Sequence, residues 1–205
     1  MVHVTANVMV SLDGYAAGPD RSQTSESPFG DCDFEMFARW RFGDVDANAA
    51  EIGSAVGADA YVMGRNMFTP GRGEHDLGWT GWWGDDPPYR APVFVVTHHE
   101  REPLAMAGGT TFTFVTSGLR DAFHRAVAVA GDRAGEGGRV SIAGGVTTLN
   151  QCLAAGLVDE LRLHVAPVVF GGGQRLFDGV PGVRLEQVSC RATEHVTHLV
   201  YRVLH

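Results

Sequence analysis

The 205-residue chain is poor in the features that mark several classes of protein. It has only three cysteines, Cys32, Cys152 and Cys190, widely spaced and with no C-x-x-C pair. That pattern indicates neither a disulfide framework nor a zinc site, and a reducing cytoplasm is the expected compartment. Positive charge is also short, with 16 basic residues against 24 acidic ones and a net charge of −8. A nucleic-acid binder needs a cationic face to neutralise phosphates, so no nucleic-acid partner is expected. A small anionic ligand stays open, because a few local arginines can override a diffuse charge. No stretch reaches the ~18 apolar residues of a membrane span. The start, MVHVTANVMVSLDG, lacks the basic and long apolar regions of a signal peptide. No repeat, low-complexity tract or linker divides the sequence, which reads as a single domain over residues 1–205. The nine histidines do not converge: His98 and His99 are adjacent, and His195 and His198 fall on opposite faces of a strand. No metal site is expected.

What the chain does have is glycine, 27 residues in all, roughly 13% against a usual ~7%. Without a Gly-X-Y period these belong in turns, caps and close approaches. Periodicity predicts strands over residues 2–11, 58–63, 92–97, 110–115, 139–143 and 161–170, and a closing hairpin over 183–191 and 195–204. Helices are predicted over 33–40, from an Asp46 cap to about Gly57, over 119–130 and over 147–155. The order implies an α/β fold, a mostly parallel sheet of about eight strands in a three-layer αβα arrangement with the antiparallel hairpin added last. Two segments have no period: a polar stretch after Gly14 containing Gly18-Pro19-Asp20, and residues 69–91, which carry Trp79, Trp82, Trp83 and Tyr89. The tryptophans would serve as a lid, a dimer patch or plain packing.

Three glycine-bearing turns follow strand ends, where ligands bind in open α/β sheets: Gly64-Arg65, Gly144-Gly145 and Gly171-Gly172-Gly173. The second precedes a helix beginning Thr147-Thr148, so bare N–H groups would meet a phosphate there, or the segment is an ordinary turn. The spacing G-x-G-x-x-G is absent. Arginine is a poor choice at a helix start, so Arg65 is either held by a ligand phosphate or simply exposed.

Four segments recur in one order: Ser11-Leu12-Asp13-Gly14, residues 62–68 (VMGRNMF), Ser141-Ile142-Ala143-Gly144-Gly145, and 157–163 (LVDELRL) followed by 167–173 (PVVFGGG). Together they resemble the dihydrofolate reductase-like family, in the branch of the C-terminal reductase domain of bifunctional riboflavin-biosynthesis enzymes. The resemblance covers residues 2–204. It implies a dihydrofolate reductase-like fold and an NADPH-dependent oxidoreductase that passes hydride to a small heterocycle, pterin-like or riboflavin-precursor-like. That activity would be like 5-amino-6-(5-phosphoribosylamino)uracil reductase or dihydrofolate reductase, in a cytoplasmic homodimer. Carried over, Gly64, Arg65 and Asn66 would bind the adenosine side, with Arg65 on the 2′-phosphate and Thr97 and His98 flanking it. Ala143, Gly144, Gly145, Val146 and Thr147 would hold the pyrophosphate and nicotinamide side. Ser11, Asp13 and Gly14 would border nicotinamide and substrate.

Hydride transfer asks little of side chains beyond alignment and the supply of a proton. Asp13 is the first candidate for substrate contact or proton relay, with an Asx-type turn cap as its alternative role. Glu35 or Asp33 is the second, near where dihydrofolate reductases carry an acidic residue on the first helix, with solvated helix-start carboxylates as the alternative. Tyr15 stands where the riboflavin branch often has a basic residue. Two further readings of the same scaffold are a non-catalytic NADP- or ligand-binding protein and a flavin- or deazaflavin-using reductase.

Overall fold

The computed structural model describes residues 1–19, 27–69, 76–134 and 137–205. Asp20 and part of the segment 69–91 lie outside the described residues. The chain runs β1 (His3–Ser11), β2 (Tyr15–Ala17), α1 (Phe34–Phe42), a 3-10 turn (Asp46–Asn48), α2 (Ala49–Val56), β3 (Ala60–Gly64) and α3 (Arg65–Phe68). Then follow β4 (Pro92–Val96), β5 (Leu104–Ala105), β6 (Thr111–Val115), α4 (Leu119–Ala134), β7 (Arg139–Ile142) and α5 (Val146–Ala154). The last elements are β8 (Glu160–Ala166), β9 (Gln174–Arg175), β10 (Arg184–Thr193) and β11 (Val196–Leu204).

Nine strands form one sheet in the order β10-β11-β8-β1-β7-β3-β4-β6-β5, and β2 pairs with β9 apart from it. The six strands from β8 to β6 are parallel; β11 and β5 pair antiparallel at the two sides. One face carries Val4, Ala6 and Val10 of β1 against Ala122 and Ala126 of α4 and Leu149 and Leu153 of α5. The other face packs Tyr61, Met63, Val93, Val95 and Phe112 beneath Phe68 and Tyr89. Three layers follow from strands that are buried on both sides.

The tryptophan segment belongs to this second face. Trp83 stacks on Phe112 with ring centroids 5.8 Å apart, and Trp79 Nε1 donates to the Phe68 carbonyl at 2.7 Å. Arg101 donates to the carbonyls of Trp79 and Leu77, each at 2.7 Å, and its guanidinium lies 5.1 Å from the Phe114 ring. Of the three roles open from sequence, packing is the one these contacts serve.

The strand count and several boundaries differ from the sequence expectation. The sheet has nine strands rather than about eight because β5, only two residues long, adds an edge too short for a periodic pattern. The second helix does not start from an Asp46 cap; Asp46 opens a 3-10 turn without a side-chain cap bond, and α-helix begins at Ala49. The last helix starts at Val146, one residue early. The strand expected over 161–170 stops at Ala166, where Pro167 has no N–H to pair and the chain turns back through Val168 N–H to the Ala166 carbonyl.

Beyond that turn, Gly173 approaches β2 so closely that an added Cβ would collide with the Ala17 carbonyl oxygen, and its φ is +121°. Only glycine fits there. Gly173→Ala is expected to cost about 3 kcal/mol, lowering Tm by roughly 6–12 °C in calorimetry; an unchanged Tm contradicts the close approach.

Candidate active site

Strands β3 and β7 are parallel neighbours in register Val62↔Ile142, yet their chains leave in opposite directions. From β3 the chain goes on to β4, whereas from β7 it returns past β1 to β8. That reversal opens a crevice at the carboxyl edge of the sheet. Ala143 N–H donates to the Val62 carbonyl and Gly64 N–H to the Gly144 carbonyl, both at 2.8 Å, so the two exits lie against each other.

Glycine makes this contact feasible. A Cβ at Gly64 would strike Thr148 Oγ1 in the first turn of α5. Gly144 has φ +111°, and its Cβ position lies 3.3 Å from the Met67 side chain. Gly145 is the N-cap of α5; no side chain caps that end, and its first turn holds no acidic residue. The free N–H groups of such an end attract an anion. Across β3, Gly64 pairs with Val96, so Arg65 and Thr97 leave the sheet side by side. Thr97 is buried and its Oγ1 accepts from His99 N–H at 3.1 Å, while His98 is exposed. The structure thus brings together Gly64, Arg65, Asn66, Thr97 and His98 with Ala143, Gly144, Gly145, Val146 and Thr147.

Ser11, Asp13 and Gly14 form a second group where β1 and β8 run beyond β7. Ser11 Oγ donates to Asp13 Oδ1 at 2.6 Å and accepts from Tyr15 N–H at 3.0 Å. Asp13 also accepts from Phe170 N–H at 3.1 Å and Gly171 N–H at 2.7 Å. These donors, the Ser11 hydroxyl first, pull its carboxyl down to about 2. Asp13 is therefore an anion that anchors the loop after β8, poorly suited to giving up a proton near neutrality. Gly14, at φ +87°, lets the chain reverse here. Glu35 sits exposed in the first turn of α1; the N-cap of that helix is Asp33, which accepts from Met36 N–H at 3.0 Å.

A third group was not read from the sequence. Under α1, Trp40 is fully buried with its ring 4.6 Å from that of His164 on β8 and 5.1 Å from that of His198 on β11. His164 and His198 face each other in register, Nδ1 to Nδ1 at 2.8 Å. His198 Nε2 lies 2.8 Å from Asn48 Oδ1, and Asn48 Nδ2 donates to the carbonyls of Trp40 and Asp44. Burial, with His198 next, holds His164 down to about 3; burial also lowers His198, against the opposing charge of Glu51. Both rings are neutral at pH 7. On this face Asn7 Nδ2 and Oδ1, Ser141 Oγ, Trp40 Nε1 and His164 Nε2 are buried without a hydrogen-bond partner among the described residues. Each such atom costs about 1–3 kcal/mol. Single histidines inside the apolar runs LRLHVAP and VTHLVY were the available signal.

A mostly parallel sheet with a glycine-lined crevice at its switch point, flanked by the β1 and β8 loops, defines a dihydrofolate reductase-like protein. The chain belongs to the RibD C-terminal domain family, whose model matches residues 2–199. Among solved structures, it is similar to a putative riboflavin biosynthesis protein from Shewanella sp. PV-4, with 22% identity, a TM-score of 0.67 and full coverage of both chains. A pyrimidine reductase-like protein from Corynebacterium diphtheriae matches at 16% identity and TM-score 0.58, over 100% of this chain and 92% of the other. A diaminohydroxyphosphoribosylaminopyrimidine deaminase/5-amino-6-(5-phosphoribosylamino)uracil reductase from Thermotoga maritima matches at 15% identity and TM-score 0.55. That match covers 99% of this chain and 57% of the other. No curated protein matches in sequence. No described helix is long and apolar enough to cross a membrane.

The Asp13 anchor has a pH signature. Its folded pKa lies below the unfolded value of about 3.9, so its contribution is complete above that value and is lost as pH falls through about 2. In Asp13→Asn, the amide group would turn a donor toward one of the two N–H groups. Hydrogen exchange at Phe170 and Gly171 should then quicken roughly tenfold or more at neutral pH; unchanged protection of both amides rules out the anchor.

Proposed function

We propose that this chain is an NADPH-dependent reductase of a small pyrimidine- or pterin-like heterocycle. The observation that carries the reading is the β3/β7 crevice, where Arg65 and Thr97 leave the sheet side by side, next to the uncapped start of α5. Gly144, at φ +111°, and Gly145 let the turn before α5 pass close to Met67 of α3, so that backbone N–H groups, not side chains, would face a pyrophosphate. The bound cofactor would supply the hydride. Arg65 would pair with the 2′-phosphate, favouring NADPH over NADH. The first-turn N–H groups of α5 would hold the pyrophosphate.

The protein's remaining tasks are to align the two rings and to exclude water. Ser11 and Asp13 would fix the loop that borders the acceptor ring, and the anionic Asp13 leaves proton delivery to water or to a group on the substrate. The names of the similar solved proteins, which are riboflavin-biosynthesis and pyrimidine-reductase proteins, support this substrate class. The exposed ten-residue edge strand β10 supports a homodimer, which light scattering would register as twice the chain mass.

Arg65→Ala should weaken NADPH about 10- to 100-fold while leaving NADH nearly unchanged, measured by fluorescence titration of both. Equal loss for the two nucleotides removes Arg65 from the 2′-phosphate. Stoichiometric NADPH binding without oxidation across pyrimidines, pterins and flavin precursors would instead favour a non-catalytic binder.

A further inference from the structure

The segment that follows β8 is fastened from two sides. Toward the turn after β1, Asp13 holds Phe170 and Gly171, and Leu176 N–H donates to the Gly14 carbonyl at 2.9 Å. The other fastening comes from α5. Asn150, only 7% exposed, commits both ends of its amide to this segment. Its Nδ2 donates to the carbonyls of Arg175 and Asp178, each at 3.2 Å, and its Oδ1 accepts from Phe177 N–H at 3.0 Å. Phe177 itself has φ +69°, left-handed backbone that a bulky residue keeps only where its surroundings over-determine it. Its side chain is 41% exposed, so the hold comes chiefly from its backbone partners: Asn150 on its N–H, and Val180 N–H on its carbonyl at 3.1 Å.

The helix that supplies Asn150 is the one whose uncapped start faces the crevice. Asn150 lies five residues beyond the Gly145 cap, about 7 Å along the axis. Thr148, in the first turn, lies against Gly64 at the exit of β3. Two residues on, roughly 200° round the helix, Asn150 points the other way. One flank of α5 therefore touches the exit that carries Arg65, and the opposite flank holds residues 175–178. Within that segment β9 pairs with β2 and sets the Arg175 guanidinium 5.6 Å from the Tyr15 ring, two residues past Asp13. A ligand that steadies α5 acts on this segment through one side chain.

We propose that Asn150 is a positioning residue that couples the two ligands of the reductase: NADPH at the start of α5 steadies, through Asn150, the segment that borders the acceptor ring. The ordering of residues 174–178 that the cofactor brings about is then not demanded again of the ring, so each ligand tightens the binding of the other. This coupling rests on the NADPH-dependent reductase reading above and adds to it the contact that joins the two halves of the site.

Amide hydrogen exchange of the whole protein, free and with saturating NADPH, tests it. The reporter is Leu176 N–H, whose bond to the Gly14 carbonyl does not involve Asn150. In the wild type NADPH should slow exchange at Leu176 about tenfold. In Asn150→Ala, NADPH should bind within about threefold of wild type, because the first-turn N–H groups of α5 remain, yet leave the exchange at Leu176 unchanged. NADPH binding to the wild type with no slowing at Leu176 overturns the proposal. So does equal slowing in both proteins, the outcome if Asn150 serves only to stabilise the fold.

Titration with 5,6-diaminouracil gives a second readout. Saturating NADPH should raise its affinity for the wild type about tenfold, and for Asn150→Ala by about threefold or less; an undiminished gain contradicts the role given to Asn150. Asn150→Asp, which keeps the acceptor for Phe177 N–H but turns a carboxylate on the carbonyls of Arg175 and Asp178, should lose the coupling as the alanine variant does. Should both variants fail to fold, the wild-type exchange alone decides. A wild type that binds no NADPH removes the cofactor reading and this coupling with it. NADPH binding without slower exchange at Leu176 removes the coupling and leaves the cofactor reading intact.

Discussion

Two parallel strands that end side by side and send their chains opposite ways are the constraint on which the candidate site depends. The exits of β3 and β7 are tied by two backbone hydrogen bonds, and the contact is close enough that Gly64 has no room for a Cβ against Thr148. Side chains at Gly64 and Gly144 would push α3 and α5 apart. Pairing of β3 with β4 puts Arg65 beside Thr97, and Gly145 leaves the start of α5 without a side-chain cap. A net charge of −8 is thus no obstacle to an anionic cofactor, since local donors and one arginine set the potential where it matters.

The second dependence is on Asp13. Its carboxylate collects a hydroxyl and two backbone N–H groups from the loop after β8, a segment that sequence alone extends as strand. Pro167 ends the strand pairing, and the anion then holds the freed chain against the turn that follows β1. An aspartate engaged in this way is an architectural ion. Its proximity to the site reflects the loop it builds, not a store of protons.

How much of this was legible in the sequence follows from how local each signal is. The parallel strands, α4 and the closing hairpin were readable because burial on one or both faces writes a period into neighbouring residues. The glycine turns were readable because a positive φ or a missing Cβ is a demand on one residue. Strands of two or three residues, β2, β5 and β9, carry no period at all. The start of α2 moved because Asn48, fully buried and bonded to Trp40, Asp44 and His198, fixes the chain just before it. The His164–His198–Asn48 relay joins residues 34 and 150 positions apart, so no window along the chain could reveal it.

The sheet's two faces divide the labour. Strands buried on both sides ordinarily read as continuous apolar runs. Beneath α4 and α5, and beneath Phe68 and Tyr89, the chain obeys that rule. It breaks the rule on one patch, where Thr5, Asn7, Ser11, Ser141, His164 and His198 are drawn from β1, β7, β8 and β11. Several of these atoms remain unmatched, at a cost in stability that apolar residues of similar size would avoid. The patch adjoins the Asp13-held loop and the carboxyl edge of β1 and β8.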